Sequence, residues 1–171
     1  MQERNMHEPE KKGGRVDIPK LVVAILVCEA VGSSGSTFTF SAISTWYATL
    51  QKPWFTPPNW LFGPVWISLF FLMGVSLYLL WMKADAGSKR RLALYAFVFQ
   101  FALNILWSYV FFGLRSYLGG LIEIILLWAA IGFTIAASYR VRRAAGLVLV
   151  PYIIWVTIAA LLNYYVWLLN P

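Results

Sequence analysis

The segment "WYATLQKPWFTPPNWLFGPVW", residues 46–66, places four tryptophans and four prolines in 21 positions with a single charge, Lys52. Proline fixes φ and has no backbone N–H to donate, so "KPWFTPPN" cannot be regular helix and reads as a stiff, extended or turning segment. Ordinary connectors are polar, whereas this one carries Trp54, Phe55 and Trp60 and runs directly into a long apolar stretch. The segment therefore reads as the junction of a loop with a membrane-spanning helix. A stiff loop loses little entropy on covering something, so Lys52, Pro53, Trp54, Phe55, Pro57 and Pro58 are expected to form a lid over an apolar cavity.

The rest of the chain agrees with a bilayer setting. Its 171 residues are 60% hydrophobic and 12% charged, with a mean hydropathy of +0.68, against about 45–50% apolar and about 25% charged in soluble domains. Five apolar runs can be cut from it, at 18–40, 60–82, 92–112, 117–139 and 146–169. Each is near the ~20 residues that cross ~30 Å of hydrocarbon. The first run contains Glu29 and the polar string "GSSGST", which a span can carry where those groups face neighbouring helices. The expected fold class is all-α, an integral membrane bundle of five transmembrane helices over residues 18–171. Residues 1–17 mix both signs of charge without an apolar run and read as a disordered cytoplasmic tail.

Charge fixes the expected orientation. With five spans, the tail and the second and fourth loops share one side. That side holds Arg4, Lys11, Lys12, Arg15, Lys20, Lys83, Lys89, Arg90, Arg91, Arg140, Arg142 and Arg143, against only Lys52 and Arg115 opposite. Under the positive-inside rule this split puts the N terminus in the cytoplasm and the C terminus outside, in a multi-pass protein of the cell membrane. Four or six spans would break the asymmetry. The net charge of +7 is thus explained by topology and weak attraction to anionic lipid, and implies no nucleic acid partner. One cysteine, Cys28, and one histidine, His7, leave no intrachain disulfide, no metal site and almost no material for histidine acid–base chemistry.

Several of the nine tryptophans fit an interfacial belt: Trp46, Trp54, Trp60, Trp81 and Trp167. Trp66, Trp107, Trp128 and Trp155 fall deeper, where an indole N–H in hydrocarbon wants a partner and the ring is expected to face the bundle interior. Gln100, Asn104, Trp107 and Phe111 share one helical stripe, and Trp155, Ala159, Leu162 and Asn163 share another. Glu29, Gly32 and Ser36 form a third face, open to either helix packing or cavity lining. Glu29 and Glu123 sit within spans, where a charge costs about 2.5–3.5 kcal/mol, so both are expected to point inward.

Three segments carry a family resemblance: "WYATLQKPWFTPPNWLFGPVW", "LNILWSYVFFGLRS" and "LVPYIIWVTIAALLNYYVW". Together they resemble the signature segments of the translocator protein family, also called tryptophan-rich sensory proteins or peripheral-type benzodiazepine receptors, over about residues 30–169. The resemblance implies a five-helix membrane protein, usually a homodimer, whose pocket is closed by the first loop. That pocket binds porphyrin or haem-like tetrapyrroles and, in some members, other apolar small molecules, with no obligate cofactor. Matched position by position, it would use Tyr47, Trp66, Asn104, Trp107, Glu123, Leu126, Trp155, Ala159 and Leu162. Certain bacterial members are similar in having tryptophans that match Trp66 and Trp155 implicated in light-dependent porphyrin breakdown.

The chain also departs from the family pattern. Phe55 stands where the family often has a loop tryptophan, with Trp54 one position earlier, and Gly119 stands where mammalian members have a pocket tryptophan. No Lys or Arg follows Tyr164, so the mammalian sterol motif is incomplete. The leading expectation is a membrane receptor or transport-type protein that takes a flat tetrapyrrole as sensor, scavenger or transporter. The alternatives are light- and oxygen-dependent porphyrin degradation and a scaffold acting through partner proteins.

Overall fold

The computed structural model describes residues 16–83 and 87–171, so the expected polar tail lies outside the described residues up to residue 15. Among the described residues all regular structure is helical. The first expected span is two helices, α1 (Ile18–Ser34) and α2 (Ser36–Ile43), bent by 46° across Gly35. Pro19 stands in the first turn of α1, where its missing N–H is not needed, and Asp17 caps that turn by accepting from the Lys20 amide at 3.2 Å.

The bend has a visible cause. The hydroxyls of Ser34, Ser36 and Thr37 donate to the carbonyls of Val31, Ser33 and Ser34. Side chains thereby compete for the acceptors that an unbroken helix would use, a known source of helix bending.

A single turn, α3 (Trp46–Thr49), and the proline loop lead into α4 (Asn59–Trp81). Pro64 sits inside α4 and cannot donate to the carbonyl one turn earlier. Helix α5 (Gly87–Ser108) takes in Lys89, Arg90 and Arg91, starting before the expected residue 92, and runs on as a π turn over Tyr109–Gly113. The chain then reverses with Arg115 in the left-handed region at φ 54°. Ser116 accepts from the Gly119 amide at 3.1 Å to start α6 (Tyr117–Val141). A short α7 (Arg143–Leu147) precedes α8 (Val150–Leu169), which has Pro151 in its first turn. With α1 and α2 counted as one bent span, five segments among the described residues are long and apolar enough to cross a membrane.

Glycine decides how closely these helices approach. A Cβ on Gly74 would lie 2.5 Å from the Ile25 Cα, so α4 touches the backbone of α1 there. One on Gly32 would lie 2.6 Å from the Phe70 ring, and one on Gly146 would lie 2.7 Å from the Ile135 carbonyl oxygen. Helices α5 and α6 make the most extensive pairing, and α1 lies along α4. Beyond the bend α2 leaves α4 and leans on α3, α5 and the π turn. The outward faces carry Val22, Leu26, Phe71, Val98, Phe99, Ile125 and Ile154, the apolar surface that hydrocarbon requires.

Gly74→Ala is expected to push α1 off α4 and cost about 1–3 kcal/mol, as overpacking does, seen as a fall of several degrees in Tm in detergent. Gly63→Ala, where an added Cβ meets nothing within 4 Å, should show no loss.

Candidate ligand-binding site

A cavity of about 340 Å³ occupies the half of the bundle nearest the proline loop, within the range of small-molecule sites. Trp66 and Phe70 reach it from α4, Asn104 and Trp107 from α5, Trp155 and Ala159 from α8, and Gly32, Ser36 and Phe40 from the bent first span. None of the lining residues is charged. The cavity is therefore an aromatic chamber for an apolar body, and any charged group of a ligand has to sit at its opening.

Two of the rings are held by hydrogen bonds that cross between helices. The Trp107 indole donates to Asn163 Oδ1 at 3.2 Å, and Asn163 Nδ2 donates to the Tyr117 carbonyl at 3.0 Å. Asn104 Nδ2 donates to the Tyr152 hydroxyl at 3.0 Å, and Tyr152 meets Trp66 edge-on with ring centroids 6.3 Å apart. Trp66 stacks on Phe70 at 5.5 Å, and Trp155 meets Phe62 edge-on at 5.7 Å. These geometries are those favoured by the ring quadrupole.

The Trp155 indole nitrogen differs from the others, being buried with no hydrogen-bond partner among the described residues. An unpaired donor beside a cavity is costly unless a ligand or water completes it. Gln100 and Glu123 are also buried with no partner for any side-chain oxygen or nitrogen, but neither lines the cavity.

Five of the expected pocket residues thus meet at one cavity: Trp66, Asn104, Trp107, Trp155 and Ala159. The others lie elsewhere. Tyr47 is buried outside it against Phe111 and Phe112, with Lys52 Nζ 4.7 Å above its ring. Leu162 and Glu123 are buried in the bundle without reaching the cavity. The buried stripe of α6 runs through Gly120, Glu123, Ile124, Leu127 and Ile131, so Leu126 falls on the exposed flank. Trp128 is on the outward side too, which corrects its expected interior position; its indole finds a partner there, donating to Thr157 Oγ1 at 2.9 Å. Glu29 is only half-buried on α1.

The residues expected to form a lid, Lys52, Pro53, Trp54, Phe55, Pro57 and Pro58, fall outside the cavity lining. The loop is fastened to the end of α8 instead: Asn170 accepts from the Gln51 amide at 3.0 Å and donates to its carbonyl at 2.9 Å. Phe55 packs edge-on against Tyr165, and Lys52 Nζ donates to the Tyr47 carbonyl at 2.7 Å. Trp54 points away and is 95% exposed. The lining that sequence reasoning missed is Ser33, Thr39, Phe40 and Ile43 on the first span, Asn59, Trp60, Phe62, Gly63, Ile67 and Phe70 on α4, and Ser108 and Phe112 at the end of α5 and in the π turn. The string "GSSGST" was the available signal, since it breaks the span beside the cavity.

The profile of the TspO/MBR family matches residues 24–168. The chain is 46% identical to the tryptophan-rich protein TspO of Archaeoglobus fulgidus over 91% of its own length and 99% of the relative's. It is 39% identical to protein CrtK of Rhodobacter capsulatus, covering 87% and 91% of the two chains. With the human translocator protein the identity is 37%, over 78% and 79%.

Tyr152→Phe removes the acceptor for the Asn104 amide and leaves a buried donor unpaired, at a cost of about 1–3 kcal/mol. Thermal unfolding should show the loss, and the double variant Tyr152→Phe/Asn104→Leu should recover part of it.

Proposed function

This chain belongs to the TspO/MBR family, and from that premise we propose that it is a multi-pass membrane receptor of the transport type for a flat, apolar tetrapyrrole such as porphyrin or haem. The observation that carries this reading is that Trp66, Trp107 and Trp155, from three different helices, converge on one uncharged cavity. Indole faces suit a wide π system, and the free N–H of Trp155 offers a hydrogen bond to a ligand heteroatom. The acidic groups of such a ligand would lie at the mouth, near Asn59 and Trp60, where water can reach them.

The reading extends to setting. Lys20, Lys83, Lys89, Arg90, Arg91, Arg140, Arg142 and Arg143 belong to one end of the bundle, while Lys52 and Arg115 belong to the loop end. We place the basic end in the cytoplasm and the cavity in the outer half of the cell membrane on that ground. A homodimer is part of the same proposal, on the strength of the family resemblance.

Titration of purified protein with protoporphyrin IX should quench tryptophan fluorescence saturably. Trp66→Ala and Trp155→Ala should each weaken binding about tenfold or more, equivalent to about 1.4 kcal/mol. Unchanged affinity in both variants would refute the site, and non-saturable quenching of the unaltered protein would refute the ligand class. A second reading, light-driven breakdown of the bound ring, is favoured by the placing of Trp66 and Trp155 together at the cavity. It requires loss of the porphyrin absorption band under illumination in air, beyond that of a Trp155→Phe control.

A further inference from the structure

The cavity has a side opening whose position follows from the bend at Gly35. Helix α1 is pressed on α4 as far as Gly32 and Phe70. Past Gly35 the chain turns by 46° and α2 departs toward α5 and the π turn, so α2 and α4 stand apart as the two sides of a wedge. Phe40, Trp60 and Ile67 line the cavity and are also 75%, 72% and 60% exposed. The cavity wall is thus continuous with the lipid-facing surface. Along α4 the slot runs from Asn59 to Phe70, about 16 Å at about 1.5 Å per residue, roughly half of a ~30 Å hydrocarbon core.

We propose that this cavity is loaded sideways from the bilayer, through the slot between α2 and α4, by an amphiphile already dissolved in the surrounding leaflet; the proline loop is not its door. The proposal deepens the ligand-binding reading given above and rests on the same cavity. The loop contributes no lining residue from Tyr47 to Pro58, and lifting it would break both Asn170 hydrogen bonds and the Lys52 contact with Tyr47. The slot is edged by the exposed side chains of Phe40, Trp60 and Ile67. Its polar edge is compatible with lipid because the Ser36 hydroxyl already donates to the Ser33 carbonyl at 2.5 Å, so its proton is not left unpaired. Gly63 forms the sill, with no atom within 4 Å of an added Cβ.

The test uses the full chain in vesicles containing a fatty acid with a photoactivatable diazirine in its chain, with adducts mapped by mass spectrometry. Adducts are expected on Trp66 and Trp155 as well as on outward Phe71. Gly63→Phe should lower the inner adducts at least tenfold relative to those on Phe71. A Gln51→Cys/Asn170→Cys disulfide, formed on a Cys28→Ala background to fasten the loop, should leave them unchanged. Protoporphyrin IX delivered from vesicles should show the same pattern in stopped-flow quenching, with loading and release both slowed by Gly63→Phe and neither altered by the disulfide.

Inner adducts absent from the unaltered protein, inner adducts insensitive to Gly63→Phe, or loss of loading on closing the disulfide that is reversed by reductant would each overturn the slot. Inner adducts with the expected response but no saturable protoporphyrin quenching would uphold the slot and defeat the tetrapyrrole reading instead.

Discussion

Ile25 and Gly74 bring α1 and α4 together with no side chain between their backbones, and the functional half of the molecule depends on that contact. Two helices held this closely at one level have only two courses beyond it: to continue in contact or to diverge. Gly32, about two turns further along α1, extends the contact and seats the Phe70 ring against α1. The cluster of hydroxyls around Gly35 then takes up helix carbonyls, and the first span changes direction. The cavity is the space created by that divergence, roofed on its inner side by α5 and α8. Its floor is firm for the same reason that its wall is open.

The aromatic lining is held with unequal stiffness. Trp107 is fixed through Asn163 to the start of α6, and Asn104 is fixed through the Tyr152 hydroxyl. These bonds run between helices in a setting where water does not compete, so each ring keeps one orientation. Trp66 is held by stacking on Phe70 and by the edge of Tyr152, which leaves its outer face toward the chamber. Trp155 alone among the cavity tryptophans combines a buried N–H with no partner among the described residues. Preorganised faces with one unspent donor are the usual arrangement of a site that selects by shape and then orients by a single polar contact.

Much of this was legible in the sequence because membrane helices have few alternatives. Apolar run length and the uneven spread of Lys and Arg sufficed for the five spans. Helical phase sufficed for the stripe through Asn104 and Trp107 and for that through Trp155 and Ala159, since a polar or aromatic residue at depth has reason to face inward. The same reasoning misplaced Trp128, because a threonine on the adjoining helix satisfies its indole at the lipid face. Leu126 was expected in the pocket by family resemblance, but the phase of α6 turns it outward. The anchorage of the loop was not readable, because its partner, Asn170, lies 119 residues away from Gln51. No local property of "KPWFTPPN" could reveal that partner. The bend was hidden differently, since Ser and Gly in a span suit close packing and helix rupture equally well.

The depth at which the chamber ends bears on what its occupancy would measure. Its lining on α4 stops at Phe70, about halfway along the helix, and below that level Met73, Gly74 and Ser76 are buried in solid packing. Because this cavity does not extend past Phe70 on α4, a molecule dissolved in the opposite monolayer would have to cross the bilayer before it met the slot. Loading through the slot would therefore make this protein sample one monolayer only. Its response to an amphiphile supplied from the other side would be timed by the lipid's own flip-flop rather than by diffusion in water.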